Sequence, residues 1–87
     1  MVVPSGKQPE PGPFARAVSE EIRASMARHR VSGAQLALRA GLSQSYLSKR
    51  LRDEVAFTAN DVEAICKVLG EDLEQLLVAA ARASRRP

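Results

Sequence analysis

The chain has 87 residues, which limits it to one small domain, and its net charge is +3. Because it contains only two Phe, one Tyr and no Trp, its core is expected to be aliphatic. Its single cysteine, Cys66, excludes an internal disulfide, and no apolar run approaches the ~20 residues of a membrane span. With no signal-peptide pattern after Met1, these features predict a soluble, cytoplasmic protein.

The first 13 residues contain four of the five prolines and two glycines, with almost no apolar content after Val3. Such a segment can neither continue a helix nor join a core, so residues 1–13 are predicted to form a disordered arm. Lys7 is its only basic residue and Glu10 cancels that charge, which favours a simple tether over a segment that grips a polyanion.

Helix 1 is predicted from Pro13 or Phe14 to about His29 or Arg30, because proline is well tolerated at the first helical position. An apolar side chain recurs every four residues along it. This stripe is predicted to face the core, and it consists of Phe14, Val18, Ile22 and Met26.

Helix 2 is predicted to start after Ser32, whose hydroxyl can cap the free backbone amides. Gln35 follows three residues later and completes a capping box, which favours a structural role for Gln35 over a contact with a ligand. Ala37 is small enough to let a neighbouring helix approach closely.

A tight turn and a third helix follow. Gly41 can adopt the positive φ that a sharp turn requires, and Ser43 can cap a helix that runs from Gln44 to about Arg52. Two short helices joined in this way form a helix-turn-helix.

Helix 4 is predicted after Thr58, with Asp61 in the boxing position and Gly70 as its stop. Cys66 lies on its apolar face and is interpreted as a small buried hydrophobe. Helix 5 opens near Asp72, with Gln75 three residues later.

The predicted fold is all-α, with five helices in a compact domain over residues 14–82 and the helix-turn-helix as helices 2 and 3. Residues 83–87 are predicted to be a frayed basic tail.

Charge is divided unevenly along the chain. Residues 14–52 carry eight basic and two acidic side chains, a net charge of +6, whereas residues 53–81 carry one basic and seven acidic side chains, a net charge of −6. The helix-turn-helix half is therefore predicted to face a polyanion, with the acidic half directed away from it.

The order and content of these elements resemble the lambda-repressor-like, Cro-type family of DNA-binding proteins, also called the Xre family. The resemblance covers residues 15 to about 80. The residues that match the family pattern are Leu36-Ala37, Gly41-Leu42-Ser43-Gln44-Ser45-Tyr46-Leu47-Ser48, the segment Ile65 to Gly70, and Leu76-Leu77.

The resemblance implies that helix 3 lies in the major groove of double-stranded DNA, with Gln44, Ser45 and Lys49 contacting bases. The side-chain chemistry agrees, because a glutamine amide suits adenine and a lysine suits guanine. Five further residues are phosphate candidates, and Tyr46 is one for which packing over helix 2 is an equal alternative. These candidates are Arg39, Tyr46, Ser48, Arg50 and Arg52.

Two positions depart from the family pattern. Gly33 stands where the family usually has a glutamine that supports the base-contacting glutamine, so Gln44 is either freer or held by Gln35. Arg50 stands where an apolar residue is usual. We expect Leu47 and Leu51 to take over the core contact and Arg50 to point at DNA.

The predicted function is a sequence-specific DNA-binding transcriptional regulator, a small Cro-like or phage-immunity repressor that uses no cofactor or metal and has no enzymatic activity. Helix 5 is the candidate surface for a homodimer, because Val78 and Ala79 lie off its core face, and a monomer that binds asymmetric or paired half-sites is an open alternative. Two alternatives remain open: an antitoxin-type interaction module that autoregulates through its helix-turn-helix, and a recombination cofactor that bends DNA.

Overall fold

The computed structural model describes residues 9–86, and the predicted arm therefore falls largely outside the described residues. The described part is all-α, as predicted. Its five helices are α1 (Pro13–His29), α2 (Gly33–Ala40), α3 (Gln44–Leu51), α4 (Ala59–Leu69) and α5 (Leu73–Ser84). None of these helices is both long and apolar enough to cross a membrane.

Side-chain caps start four of the helices at the predicted residues. The Ser32 hydroxyl accepts a hydrogen bond from the Gln35 amide at 3.1 Å, and the Gln35 side chain accepts one from the Ser32 amide at 2.9 Å. Ser43 caps α3 and Asp72 caps α5 in the same way, although without the reciprocal bond. Thr58 forms the second complete capping box, at the start of α4. The helix-turn-helix therefore has locally determined ends.

Left-handed residues end the first, second and fourth helices. Gly41 has φ +73° after α2 and Gly70 has φ +69° after α4. Both glycines adopt this conformation without the strain that a Cβ introduces. Arg30 has φ +54° after α1, and its amide bonds to the carbonyl of Ala27.

The core lies where α1 crosses the other helices, and its packing is dominated by α1 against α5. Its largest fully buried apolar side chains come from four different helices: Ile22, Leu36, Leu47 and Ile65. Cys66 is also buried, and burial raises the pKa of its thiol, which agrees with the predicted hydrophobic role.

The predicted apolar stripe of α1 is only partly core. Val18 and Ile22 are buried and Met26 packs against them, but Phe14 is 45% exposed. The prediction was wrong for Phe14, whose side chain lies at the surface and lines an apolar groove with Leu73 and Leu77 of α5. At the other terminus, α5 continues to Ser84, two residues beyond the predicted boundary.

Ion pairs join the basic segment 14–52 to the acidic segment 53–81. Four arginines of the first segment each lie beside a carboxylate of the second: Arg23–Asp53 at 3.6 Å, Arg28–Glu71 at 2.9 Å, Arg50–Asp61 at 3.7 Å and Arg52–Glu54 at 2.6 Å. The charge that is separated along the sequence is thus partly neutralised in the fold. Fewer arginines are therefore available to a polyanion than the number of basic residues in the segment 14–52 suggests.

Glu71 connects the turn between α4 and α5 to the last turns of α1. Its carboxylate accepts hydrogen bonds from Ser25, which is fully buried, and from Arg28 at 2.9 Å, and His29 lies at 3.3 Å. The bonds from Ser25 and Arg28 hold the pKa of the Glu71 carboxyl below its ordinary value.

We expect Glu71→Gln to lower the free energy of unfolding by about 1 kcal/mol at neutral pH, because it removes these charge-assisted bonds. The wild-type carboxylate has a lowered folded-state pKa, so its stabilisation is fully present above the ordinary glutamate pKa. That stabilisation is lost as the pH falls through the folded-state value. Urea unfolding at neutral and acidic pH should therefore show the difference between the two proteins shrinking in acid. A difference that stays constant with pH would contradict this role.

Candidate nucleic-acid interface

The turn between α2 and α3 brings the two helices of the predicted helix-turn-helix into contact. Ala37 is 1% exposed and Leu47 is equally buried, so the helices pack closely across these side chains. The Leu42 amide donates to the Ala37 carbonyl at 2.8 Å, and Leu42 packs against the core just after Gly41. These contacts fix the angle at which α3 leaves the turn.

The first turn of α3 presents polar side chains to solvent. Gln44 and Ser45 are exposed, and Lys49 lies one turn after Ser45 on the same exposed face. The side chains of Gln44 and Lys49 make no hydrogen bond or ion pair with any residue in the range 9–86. The three residues that the resemblance assigns to base contact thus share one unobstructed surface.

Three basic side chains of the segment 14–52 have no ion pair or side-chain hydrogen bond with any residue that the structure describes. They are Arg30, Arg39 and Lys49, and all three are exposed. Arg39 lies in the last turn of α2, and its phosphate contact stays a prediction.

The side chains of Arg52 and Ser48 are hydrogen-bonded to each other. The Arg52 guanidinium donates to the Ser48 hydroxyl and to the Glu54 carboxylate at 2.6 Å. The Arg52 side chain is 59% exposed, and its guanidinium keeps further donors.

The structure corrects the predicted orientation of Arg50, which lies beside Tyr46. The Arg50 side chain is only 11% exposed, and its guanidinium stacks on the Tyr46 ring at 3.3 Å from the centroid. The Tyr46 hydroxyl donates to the Asp61 carboxylate at 2.9 Å. Both side chains therefore reach toward Asp61 on α4, and Arg50 lies one turn after Tyr46 on the same face of α3. Arg50 therefore does not point outward as predicted, whereas a phosphate contact by Tyr46 stays a prediction.

We refer to Tyr46, Arg50 and Asp61 as the α3–α4 cluster. Asp61 is 6% exposed and holds two elements at once, because it also completes the capping box of α4 by accepting from the Thr58 amide at 2.9 Å. Its Oδ2 lies 3.7 Å from the Arg50 Nε, which is buried and has no hydrogen-bond partner in the described part of the chain. The cluster sets the roll of α3 about its own axis.

The end of α3 is held by α1. Arg23 donates to the Leu51 carbonyl at 2.6 Å, and the buried Ser19 hydroxyl lies 3.3 Å from the Arg50 carbonyl. A cation beside the last carbonyls of a helix also interacts favourably with the helix dipole. No role beyond its charge was predicted for Arg23, since no local pattern indicates a partner 28 residues away.

A small cavity of about 150 Å³ separates the start of α2 from α3, and Gln44 and Gly33 line it. A Cβ at Gly33 would meet no atom within 4 Å, so this glycine is not required by packing. Gln35 uses its side-chain oxygen in the capping box. Its predicted structural role is therefore confirmed.

Comparison with known proteins agrees with the helix-turn-helix arrangement of α2 and α3. The clp gene regulator ClgR from Corynebacterium glutamicum has a similar crystal structure, with 26% identity, a TM-score of 0.74, and coverage of 87% of this chain and 80% of that chain. A second ClgR crystal structure gives 25% identity, a TM-score of 0.72, and coverage of 79% and 90%. Among curated protein sequences, none matches the chain. The family model of the Cro/C1-type HTH DNA-binding domain matches residues 21–81, and the chain therefore belongs to this family.

Proposed function

We propose that the protein is a sequence-specific transcriptional regulator that inserts α3 into the major groove of double-stranded DNA. The observation that supports this most directly is that Gln44, Ser45 and Lys49 are exposed and form no side-chain bond with any described residue, on a helix that packs against α1 and α2. A glutamine amide can bond an adenine edge bidentately, a serine hydroxyl accepts or donates, and a lysine suits the acceptors of guanine. The similar ClgR protein is a gene regulator.

The regulator acts as a repressor in this proposal, by occupying an operator and excluding polymerase. A domain of this size covers a short stretch of DNA, so useful specificity requires two copies on a two-fold operator. The second copy is provided by a homodimer that forms through α5.

Binding selection from a pool of random duplexes tests this function. The expected result is enrichment of one motif with two related half-sites, together with loss of transcription from a promoter that carries the motif. Binding that enriches no motif would contradict a sequence-specific regulator. Activation of the promoter would contradict the repressor.

Arg39 is proposed to contact a phosphate, since its charge is exposed and unpaired within the described chain. Arg39→Ala should weaken binding to all duplexes alike and reduce the slope of log K against log salt by about one unit. A salt titration by fluorescence anisotropy measures both effects. A loss confined to the selected motif would contradict a phosphate contact and would indicate a base contact instead.

A further inference from the structure

A cavity of about 370 Å³ lies where α1, α4 and α5 begin, and no residue of α2 or α3 lines it. Its interior is largely apolar and is lined by Phe14 and Val18 of α1, Phe57 before α4, and Leu77 of α5. Phe14 is one of three large apolar side chains that are exposed among the described residues. Small-molecule sites measure about 300–1,000 Å³ and are mostly apolar with a few polar groups, so both the volume and the lining fit such a site.

The exposed rim of the cavity carries polar side chains and one charge. Thr58, Asn60 and Glu63 contribute to the lining, and all three are exposed. The Glu63 carboxylate forms no ion pair or hydrogen bond with any residue in the range 9–86. No lysine or arginine of the described chain lines the cavity. The full charge in the lining is therefore negative and uncompensated.

Helix dipoles do not reverse this preference, although the positive end of a helix dipole favours an anion. The starts of α4 and α5 already have carboxylates, because Asp61 completes the capping box of α4 and Asp72 caps α5. The start of α1 has no acidic cap, but a helix end is equivalent to only about half a charge, against the full charge of Glu63. Charge complementarity therefore favours a cationic ligand.

We propose that this cavity binds a small molecule that has an apolar body and a single protonated amine. The apolar body packs between Phe14 and Phe57, and the ammonium group pairs with Glu63 at the rim. The exposed Asn60 amide provides a further polar contact beside it. This site is separate from the surface of α3 that is proposed to contact DNA.

The cavity and the α3–α4 cluster share the first turn of α4. Thr58 and Asn60 line the cavity, while the Asp61 carboxylate faces Tyr46 and Arg50 of α3. Its Oδ2 atom also accepts a hydrogen bond from the Thr58 amide at 2.9 Å, so a ligand beside Thr58 contacts the segment that positions Asp61. Binding should hold this turn, and with it the roll of α3, and should raise DNA affinity by about fivefold. This coupling rests on the proposed function, whereas the site itself does not.

Three probes of nearly the same shape test the charge of the ligand: phenethylamine, phenethyl alcohol and hydrocinnamate. Each is titrated into the isotope-labelled chain without DNA, and the chemical shifts of the backbone amides are followed. The amine should shift the amides of the lining residues and bind about threefold more tightly than the alcohol, which is the size of effect that an exposed ion pair produces. Hydrocinnamate should bind more weakly than either, because Glu63 repels its carboxylate.

Two substitutions locate the binding. Glu63→Gln should abolish the preference for the amine and keep the affinity for the alcohol, whereas Glu20→Gln makes the same change on an exposed part of α1 outside the cavity and should keep the preference. Ala59→Trp places a large ring at the rim and should weaken binding of all three probes by about tenfold or more. Because Ala59 is exposed, this variant should keep its Tm, which circular dichroism measures.

The coupling to α3 has a readout that needs no DNA. Tyr46 is the single tyrosine and the chain has no tryptophan, so tyrosine fluorescence reports on the α3–α4 cluster. Saturating phenethylamine should change this fluorescence. It should also raise the affinity for the selected DNA motif, measured by fluorescence anisotropy with a labelled duplex.

Each outcome decides one part of the proposal. No shift of a lining amide at millimolar probe, or a folded Ala59→Trp variant that binds as the wild type does, would overturn the site. Binding of the alcohol or the carboxylate as tightly as the amine would overturn the cationic class. Unchanged Tyr46 fluorescence at saturation would overturn the coupling. A changed Tyr46 signal in a protein that enriches no DNA motif would uphold the site and contradict only the proposed function.

Discussion

Replacing Gln44 and Lys49 together with alanine is expected to weaken binding to the selected DNA motif by about 100-fold. Both side chains are exposed on the first turns of α3 and make no side-chain bond within the described chain. A well-formed contact to a base edge contributes about 1–3 kcal/mol of discrimination, so losing two of them accounts for a loss of this size. Fluorescence anisotropy at fixed salt measures the affinity.

The same double variant should keep its thermal stability, because neither side chain contributes to the core. Binding to unrelated duplexes should fall much less than binding to the motif, since the variant loses one positive charge and keeps the other phosphate contacts. Lys67→Ala is the matched control, because it removes an exposed lysine from α4 and should leave both affinities unchanged. Equal losses on the motif and on unrelated duplexes would show that these residues contact phosphates rather than bases.

The helix boundaries could be predicted from the sequence because they depend on neighbours. Ser32 bonds to a residue three positions away, and Ser43 does the same at the start of α3. Gly41 needs only its own backbone freedom to end α2. Interactions between residues three or four positions apart can be recognised in the sequence itself. The pattern of helix-capping and helix-ending residues is therefore sufficient to locate the helix-turn-helix.

The orientation of charged side chains could not be predicted, because it depends on residues far away along the chain. Arg50 points inward because its guanidinium pairs with Asp61 on another helix and stacks on the Tyr46 ring. Arg23 donates a hydrogen bond to the end of α3, 28 residues away along the chain. Nothing in the local sequence distinguishes these arginines from Arg39, which stays exposed. A count of charge therefore identified a basic half of the chain but could not predict which of its arginines remain available.

The α3–α4 cluster bears on the proposed function, since it fixes the rotation of α3, the helix that is proposed to enter the major groove. Lys49 directly precedes Arg50, so a rotation of α3 that frees Arg50 would also turn Lys49 away from its present direction. The cluster is ionic and almost completely buried, with 11% of the Arg50 side chain and 7% of the Asp61 side chain exposed. Removing one partner of such a pair leaves the other charge buried without compensation.

Asp61→Ala is accordingly expected to lower the free energy of unfolding by about 3 kcal/mol, because it strands the Arg50 guanidinium and also breaks the capping box of α4. For a domain of this size the loss corresponds to a fall in Tm of about 10–20 °C, measured by circular dichroism. Glu63→Ala removes an exposed carboxylate from the same helix and is expected to leave Tm nearly unchanged.

A second substitution separates the ionic role of Asp61 from its role as a cap. Arg50→Met removes the stranded charge but keeps an apolar stem beside the Tyr46 ring, so adding it to Asp61→Ala should recover part of the lost stability. The part that is not recovered measures the cap. DNA affinity at a temperature where all variants are folded should follow the same order, because the cluster orients α3 as well as stabilising it. If Arg50→Met lowers the stability of Asp61→Ala further, then Asp61 does not act by compensating the buried charge of Arg50.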